Sequence, residues 1–404
     1  MVEPVHQHVP QPGQDGGREA ERPHRSPVAP GLRDPGRPRR HRRSDLLRRL
    51  APDGSRGRRP RRRRDRRGDD RLSPWLAANR RRGERSPRRH HVRRHHVEVT
   101  LEDELYRALQ AVPELAGRRL TFTPLSGGIT NRNFLVDVER TAERYVVRLA
   151  GNDTHLLGIS REVEHAATVA AAGVGVGPEV TAFLRAEGCL VTRFIEGRPV
   201  GDDAVHRPET IRRVADSIRR FHNGPPIPGL FIPLRIVEAY RALALARGVT
   251  IPAEFGLAQA IGRRIELALL SNPVELRPCH NDLLNANFID DGRRIRIVDW
   301  EYAGMGDPFF DLGNFSANHG LAAAEGAILL EGYDGAPPPP DRLARVTLMR
   351  VVSDFREAMW GVLQQGISTL DVDFVAYASK HFDRLLAAAA TPGFERALRE
   401  AAGG

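Results

Sequence analysis

The sequence predicts an α+β fold in two lobes: a small, antiparallel β-rich N-lobe with one helix over residues 98–196, and a larger, mainly helical C-lobe over 197–395. Three observations predict it. Short apolar runs rich in β-branched and aromatic residues follow one another between 120 and 151, separated by turn residues. A single helical pattern interrupts them at 160–172. Beyond 200, helical periodicity dominates, broken by Pro-rich stretches at 225–228 and 337–340 and by a strand-like segment at 278–300.

Taken in order, LEDELYRALQAV at 101–112 puts Leu101, Leu105, Leu109 and Val112 on one helical face. LTFTPLSGGITNRNFLVDV then reads as strand, Gly-rich turn and strand, and ERYVVRLAG as a third strand ended by Gly151, so the three form an antiparallel meander. Ser160 is placed to cap a helix that Gly173 ends. Two more strands follow near 179–185 and 189–195, and Glu196-Gly197-Arg198-Pro199 reads as a hinge between lobes.

Residues 1–97 carry none of this patterning. They are crowded with Arg, Pro, Gly, Asp and His, and too poor in large apolar residues to offset the entropy of ordering, which predicts a disordered tail. The first 100 residues hold 29 Arg against 12 acids, about +17, so the whole-chain charge of +11 leaves about −6 for the remainder. A tail so basic would suit a polyanion, but the folded part is acidic, so nucleic acid is not the expected partner. Lys380 is the single Lys in the chain. Such Arg-for-Lys usage is what GC-rich codons produce, and the tail reads as upstream sequence carried in by a mis-called start, with Val92 or Val97 as the true beginning.

Two cysteines, Cys189 and Cys279, exclude a disulfide framework and suit a reducing, cytoplasmic compartment. No apolar run reaches the length of a membrane span. The cluster His90, His91, His95 and His96 lacks the scaffold of a metal site.

Three motifs carry chemistry. Gly127-Gly128-Ile129-Thr130-Asn131 lies at a turn between strands, where paired glycines let the backbone approach phosphate oxygens and Thr130 and Asn131 add donors. Alone it is also an ordinary hairpin turn. The second is Cys279-His280-Asn281-Asp282-Leu283-Leu284-Asn285-Ala286-Asn287, with Asp299 twelve residues on at the end of an apolar strand. An Asx-rich turn explains one or two polar residues but not Asp, Asn and Asp at those separations, which match the catalytic-loop and metal-binding spacing of kinases. Third, Arg148 stands in an otherwise apolar strand, with Glu162 of the next helix as its expected partner and Glu164 as the fallback.

Phosphoryl transfer needs this set. ATP brings about four negative charges, so hard oxygen ligands must hold Mg²⁺ against the phosphates, a role for Asn287 and Asp299. A separate carboxylate must take the proton of the acceptor hydroxyl, and Asp282 is assigned to it.

At these residues the chain resembles the choline/ethanolamine kinase branch of the aminoglycoside phosphotransferase family, which has a bilobal protein-kinase-like fold, over roughly 100–390. The segments LSGGITNRNF, HNDLLNANF, IVDWEYAGMGDPFFDLGN, WGVLQQGIS and DFVAYASKHF carry the resemblance. It implies Asp282 as catalytic base, Asn287 and Asp299 as magnesium ligands, Arg148 near the nucleotide phosphates, and adenine against Arg193, Phe194 and Ile195. In eukaryotic choline kinases the ammonium head sits among aromatic rings beside a carboxylate, held by cation–π attraction. Trp360 matches one cage tryptophan, but Glu357 stands where a second would be, Val372 replaces a Phe and Asn318 takes the carboxylate's position. Glu357 and Glu301 are the carboxylates that would restore the negative charge.

The sequence therefore predicts an ATP- and Mg²⁺-dependent phosphotransferase acting on the hydroxyl of a small, cationic metabolite of the choline, ethanolamine or thiamine type. An aminoglycoside or macrolide kinase is the alternative within the class. A non-catalytic or nucleic-acid-binding protein is the alternative outside it, opposed by the intact Asp282, Asn287, Asp299 set.

Overall fold

The computed structural model describes residues 101–125, 131–151 and 154–403. All of these fall in one compact unit. Residues 1–97 and the turn residues Gly127, Gly128 and Thr130 lie outside the described residues.

Helix α1 (Leu101–Leu109) is shorter than the expected 101–112. Val112 precedes Pro113, whose ring disfavours helical backbone at the preceding residue, so the chain turns there although Val112 and Leu115 stay buried. Strands β1 (Leu120–Leu125), β2 (Asn131–Val138), β3 (Arg144–Ala150), β4 (Val180–Leu184) and β5 (Cys189–Arg193) form one sheet in the order β1-β2-β3-β5-β4, every neighbouring pair antiparallel. The registers Phe134↔Val147, Val136↔Tyr145 and Val147↔Val191 align apolar side chains on one face. Leu105 and Leu109 of α1 cover that face and close a small core.

Helix α2 (Arg161–Gly173) starts at Ser160, whose side chain accepts from the Val163 N–H at 3.5 Å. Its buried Ala167, Ala170 and Ala171 join the larger core of the C-terminal part, not the small core under the sheet. The helix of the small lobe therefore belongs energetically to the large one.

The expected hinge is partly a strand. Arg198–Pro199 (β6) pairs with β8 (Phe288–Asp290), which pairs in turn with β9 (Ile295–Ile297). A side chain at Gly197 would lie 2.6 Å from the Asp290 carbonyl oxygen, so only glycine lets the chain cross at this point. A second small pair joins β7 (Arg277–Cys279) to β10 (Gly304–Gly306).

The remainder is helical: α3 (Asp202–Val205), α4 (Pro208–His222), α5 (Pro233–Ala246), α6 (Phe255–Ser271), α7 (Pro308–Asn318), α8 (Ala323–Asp334), α9 (Pro340–Ile367), α10 (Phe374–Ala389) and α11 (Pro392–Ala401). The axis of the lobe is α9, 28 residues and about 42 Å long at 1.5 Å per residue. From Val351 to Gln364 each of its residues is buried. It crosses α7 at Gly313, where a Cβ would lie 2.6 Å from the Met349 carbonyl carbon. Phe310 packs on Phe231, Phe315 on Phe288 and Phe355 on Phe255 and Phe382, each burial contributing roughly 1.5–3 kcal/mol. Among the described residues no helix is long and apolar enough to cross a membrane, and Cys189 and Cys279 are buried free thiols.

Candidate active site

The segment His280–Leu283 forms neither helix nor strand, so its backbone donors need other partners. Side chains supply them. Asp311 of α7 accepts from the N–H groups of His280 (2.8 Å) and Asn281 (2.7 Å), and Asn314, one turn on, accepts from Leu283 N–H at 2.7 Å. His280 Nδ1 accepts from Asp282 N–H at 3.2 Å, which leaves Nε2 to donate to the Val298 carbonyl at 3.0 Å. Burial lowers the His280 pKa, consistent with the neutral tautomer that this pair of bonds requires. Burial would raise Asp311, but His222, bonded to it at 2.9 Å, and His280 bring it below the usual carboxylate range. Asn281 adopts a left-handed φ of 69°, which Asn tolerates better than most side chains, and its amide ties the loop to the carbonyls of Cys279 and Tyr302.

This mooring brings the predicted trio together. Asn287 donates to the Asp282 carbonyl at 2.9 Å and pairs its own carbonyl with Val298 N–H at 3.0 Å, so Asp299 follows directly beside it. Asp299 has φ 68°, a costly conformation for a side-chain-bearing residue and one that recurs at functional sites. Burial would raise its pKa, but Arg148 outweighs that and holds the carboxyl below its ordinary value. Asp282 goes the other way. Burial pushes its carboxyl up to about 8, against the pull of Arg356 and with a further push from Glu357, Asp299 and Glu301.

Arg148 Nη1 lies 2.6 Å from Asp299 Oδ1 and 2.7 Å from Glu164 Oε1. The expectation of Glu162 is corrected here: one position sets the face of a helix, and Glu164 points inward while Glu162 pairs with the exposed Arg185. Asn131 does not stand free for phosphate, because its amide nitrogen donates to Glu301 at 2.7 Å and its carbonyl accepts from Arg161 at 2.8 Å. Arg161 also pairs with Glu164 at 2.6 Å.

A cavity of about 200 Å³ opens between the five-stranded sheet and the β8–Asp299 segment. Arg148, Glu164 and Asp299 line its polar end, and Val146, Leu190 and Ile289 its apolar walls. The predicted Arg193, Phe194 and Ile195 line it as well, although the Arg193 guanidinium turns to Glu143 and the face of Tyr145. The cavity thus runs from apolar walls to one guanidinium and two carboxylates. The donor set fits magnesium: a carboxylate at Asp299 and an amide oxygen at Asn287, whose amide nitrogen is already engaged.

The predicted Glu357 and Trp360 project from α9. Trp360 is 8 % exposed, donates its Nε1–H to Tyr302 Oη at 3.1 Å and meets Phe374 and Tyr377 edge-on. Glu357 pairs with Arg356 and accepts from Tyr377 Oη at 2.7 Å. Burial would raise its pKa, but the Arg356 guanidinium brings it below the ordinary carboxylate value. Glu301 and Tyr302 line a second cavity of about 340 Å³ with Phe231, Ile236 and Tyr240. Asn318 donates to the Leu283 carbonyl at 3.3 Å.

Sequence reasoning missed Asp311, Asn314, Arg161 and Arg356. Asp311 and Asn314 sit three apart in the quoted DPFFDLGN segment, a spacing that puts both on one helical face. Arg356 and Glu357, with Asp354 two residues before them, stand in a stretch of α9 flanked by apolar residues, charges that a buried helix does not carry without partners.

Comparison with known proteins adds three findings. A model of the phosphotransferase enzyme family, APH, matches residues 121–345. LicA of Haemophilus influenzae is 25% identical over 209 residues, which cover 51% of this chain and 61% of LicA, and ethanolamine kinase 2 of Mus musculus is 26% identical over 321 residues, 71% of this chain and 82% of that one. The crystal structure of a choline/ethanolamine kinase family protein from Mesorhizobium loti superposes with a TM-score of 0.66 at 32% identity, covering 76% of this chain and 100% of that one.

Proposed function

This chain belongs to the phosphotransferase enzyme family, and from that premise we propose that it moves the γ-phosphoryl group of Mg·ATP to the hydroxyl of a small amino alcohol of the choline, ethanolamine or thiamine type. The observation that carries the reading is the convergence of Asp282 and Asn287 with Asp299, which follows β9, beside a cavity that ends at Arg148.

In this reading Asp299 and the Asn287 amide oxygen hold magnesium, which when bound neutralises phosphate charge. Arg148, fixed by Glu164, faces the phosphates with a guanidinium that stays ionised at every relevant pH. Asp282 receives the acceptor proton. Its raised pKa suits that role, because a base whose conjugate acid titrates near the working pH takes a proton more readily than an ordinary carboxylate. A cationic head is supported by the rings of Tyr302, Trp360 and Tyr377 gathered beside the Glu357 carboxylate.

The test is an ATP-consumption screen of the purified protein against choline, ethanolamine, thiamine and kanamycin. Turnover of an amino alcohol is expected. Turnover of kanamycin alone would replace this reading with that of an antibiotic kinase, and turnover of none would end it.

A further inference from the structure

Arg356 is 1 % exposed, at the centre of the part of α9 that is buried on all sides. Its Nη1 pairs with Glu357 Oε1 and lies 3.4 Å from Asp282 Oδ1. Its guanidinium carbon sits 4.4 Å from the centre of the Tyr302 ring. The other Glu357 oxygen accepts from Tyr377, and Tyr302 is held in turn by the Trp360 N–H. The Nε and Nη2 groups make no hydrogen bond to the described residues.

Stability gives no reason for this arrangement. Taking a guanidinium and a carboxylate out of water costs several kcal/mol per ion, and apolar side chains of similar volume commonly do as well or better. Two unfilled donors on a buried cation add to that cost. The expense falls where Nη1 meets the carboxylate assigned as the base. We propose that Arg356 is a positioning residue for the phosphoryl transfer: Nη1 fixes the orientation of the Asp282 carboxylate, while Glu357, Tyr377 and the Tyr302 ring hold the guanidinium in place.

The inference rests on the assignment of Asp282 as base and makes a separate claim, that Arg356 acts through Asp282. Glu357 becomes the anchor of this device, and Trp360 reaches it through Tyr302. The residues taken from the sequence as a cage for the acceptor thus also support the catalytic carboxylate from behind.

A double-mutant cycle tests it, with the best acceptor of the four-compound screen and saturating Mg·ATP. Arg356→Met should lower kcat by about 10- to 100-fold, the scale of a misplaced catalytic group, with KM for Mg·ATP changed less than about twofold. Placed on Asp282→Asn, the same change should alter kcat less than about twofold, because the group it positions is no longer there. Arg356→Lys, which keeps a cation, should recover part of the loss.

Arg356→Met leaves Glu357 buried without its partner and is at risk of not folding. The double variant Arg356→Gln with Glu357→Gln removes both charges together and is put through the same cycle. Equal losses in the wild-type and Asp282→Asn backgrounds, or a kcat within twofold of wild type for the folded variant, would overturn the inference and leave the proposed function standing. Full activity of Asp282→Asn would instead overturn the assignment of the base.

Discussion

Arg148 and Asp299 form an ion pair of 2.6 Å that links the third strand of the small lobe to the end of the catalytic segment. Glu164 meets the same guanidinium nitrogen at 2.7 Å, so one cation is held between a carboxylate of helix α2 and that of Asp299. Any change to this triad is expected to appear first in nucleotide binding.

Glu164 and Glu162 lie two residues apart and should behave oppositely. Glu164→Ala removes one partner of a buried pair and leaves Arg148 and Arg161 under-compensated, so the melting temperature should fall and KM for Mg·ATP should rise by about tenfold or more. Glu162→Ala breaks only an exposed pair with Arg185, and both the melting temperature and the kinetics should stay close to wild type. Thermal melts and steady-state kinetics of the two variants decide it, and equal effects would remove Glu164 from the nucleotide site.

Asp299→Ala deletes the anionic member of the donor set and leaves the neutral Asn287. Productive Mg·ATP binding should be lost, with partial rescue at high magnesium. Calorimetric titration checks this directly, and an affinity equal to wild type would show that the metal is held elsewhere.

Asp282→Asn should lower kcat by roughly 10²–10⁴ while Mg·ATP still binds. It also has a pH signature. The folded-state pKa of about 8 lies above the ordinary aspartate value of 3.8, so the native state favours the protonated carboxyl. That contribution to stability is complete below about pH 4 and disappears as pH rises through about 8. Across this window wild type should lose stability that the Asn variant keeps, and the melting temperature of the variant relative to wild type should climb. A difference that stays flat from pH 4 to pH 8 would show that the Asp282 carboxyl is not raised.

Trp360→Leu keeps an apolar filler while removing the π face and the N–H bonded to Tyr302. If the ring meets the acceptor, KM for a cationic alcohol should rise about 2- to 30-fold, the range of a cation–π contact of about 0.5–2 kcal/mol, with KM for Mg·ATP unchanged. A lower melting temperature with unchanged KM, or an equal loss for a neutral alcohol, would identify Trp360 as core.

The parts of the fold that were legible in the sequence are those with local signals. The meander, the Ser160 cap and the spacing of Asp282, Asn287 and Asp299 are each encoded within a few residues. What the sequence did not disclose depends on which way a side chain turns in three dimensions. Glu162 and Glu164 differ only in helical phase, so the assignment of Arg148's partner needed the packing of α2 against the large core. The role of Asp311 was hidden for another reason, since it serves backbone groups of a loop about 30 residues earlier, and a bond to backbone leaves no trace in the residue type it serves. Arg198–Pro199 read as a hinge because a two-residue strand carries no period; the partner strand across the sheet defines it.

The mooring of His280–Leu283 to Asp311 and Asn314 also divides the lobe into a fixed and a free part. The frame that holds the backbone around Asp282 hangs from α7, whereas the cavity beside Glu301 and Tyr302 is walled by α5. Substitutions on α5 can reshape that chamber without touching the bonds that hold the loop, whereas α9 reaches the loop itself through Arg356 and through Ser353, which is bonded to Asn314. One scaffold can in this way exchange its clientele and keep its reaction, provided that Asp311, Asn314 and the glycine between them, where α7 presses on α9, remain in place.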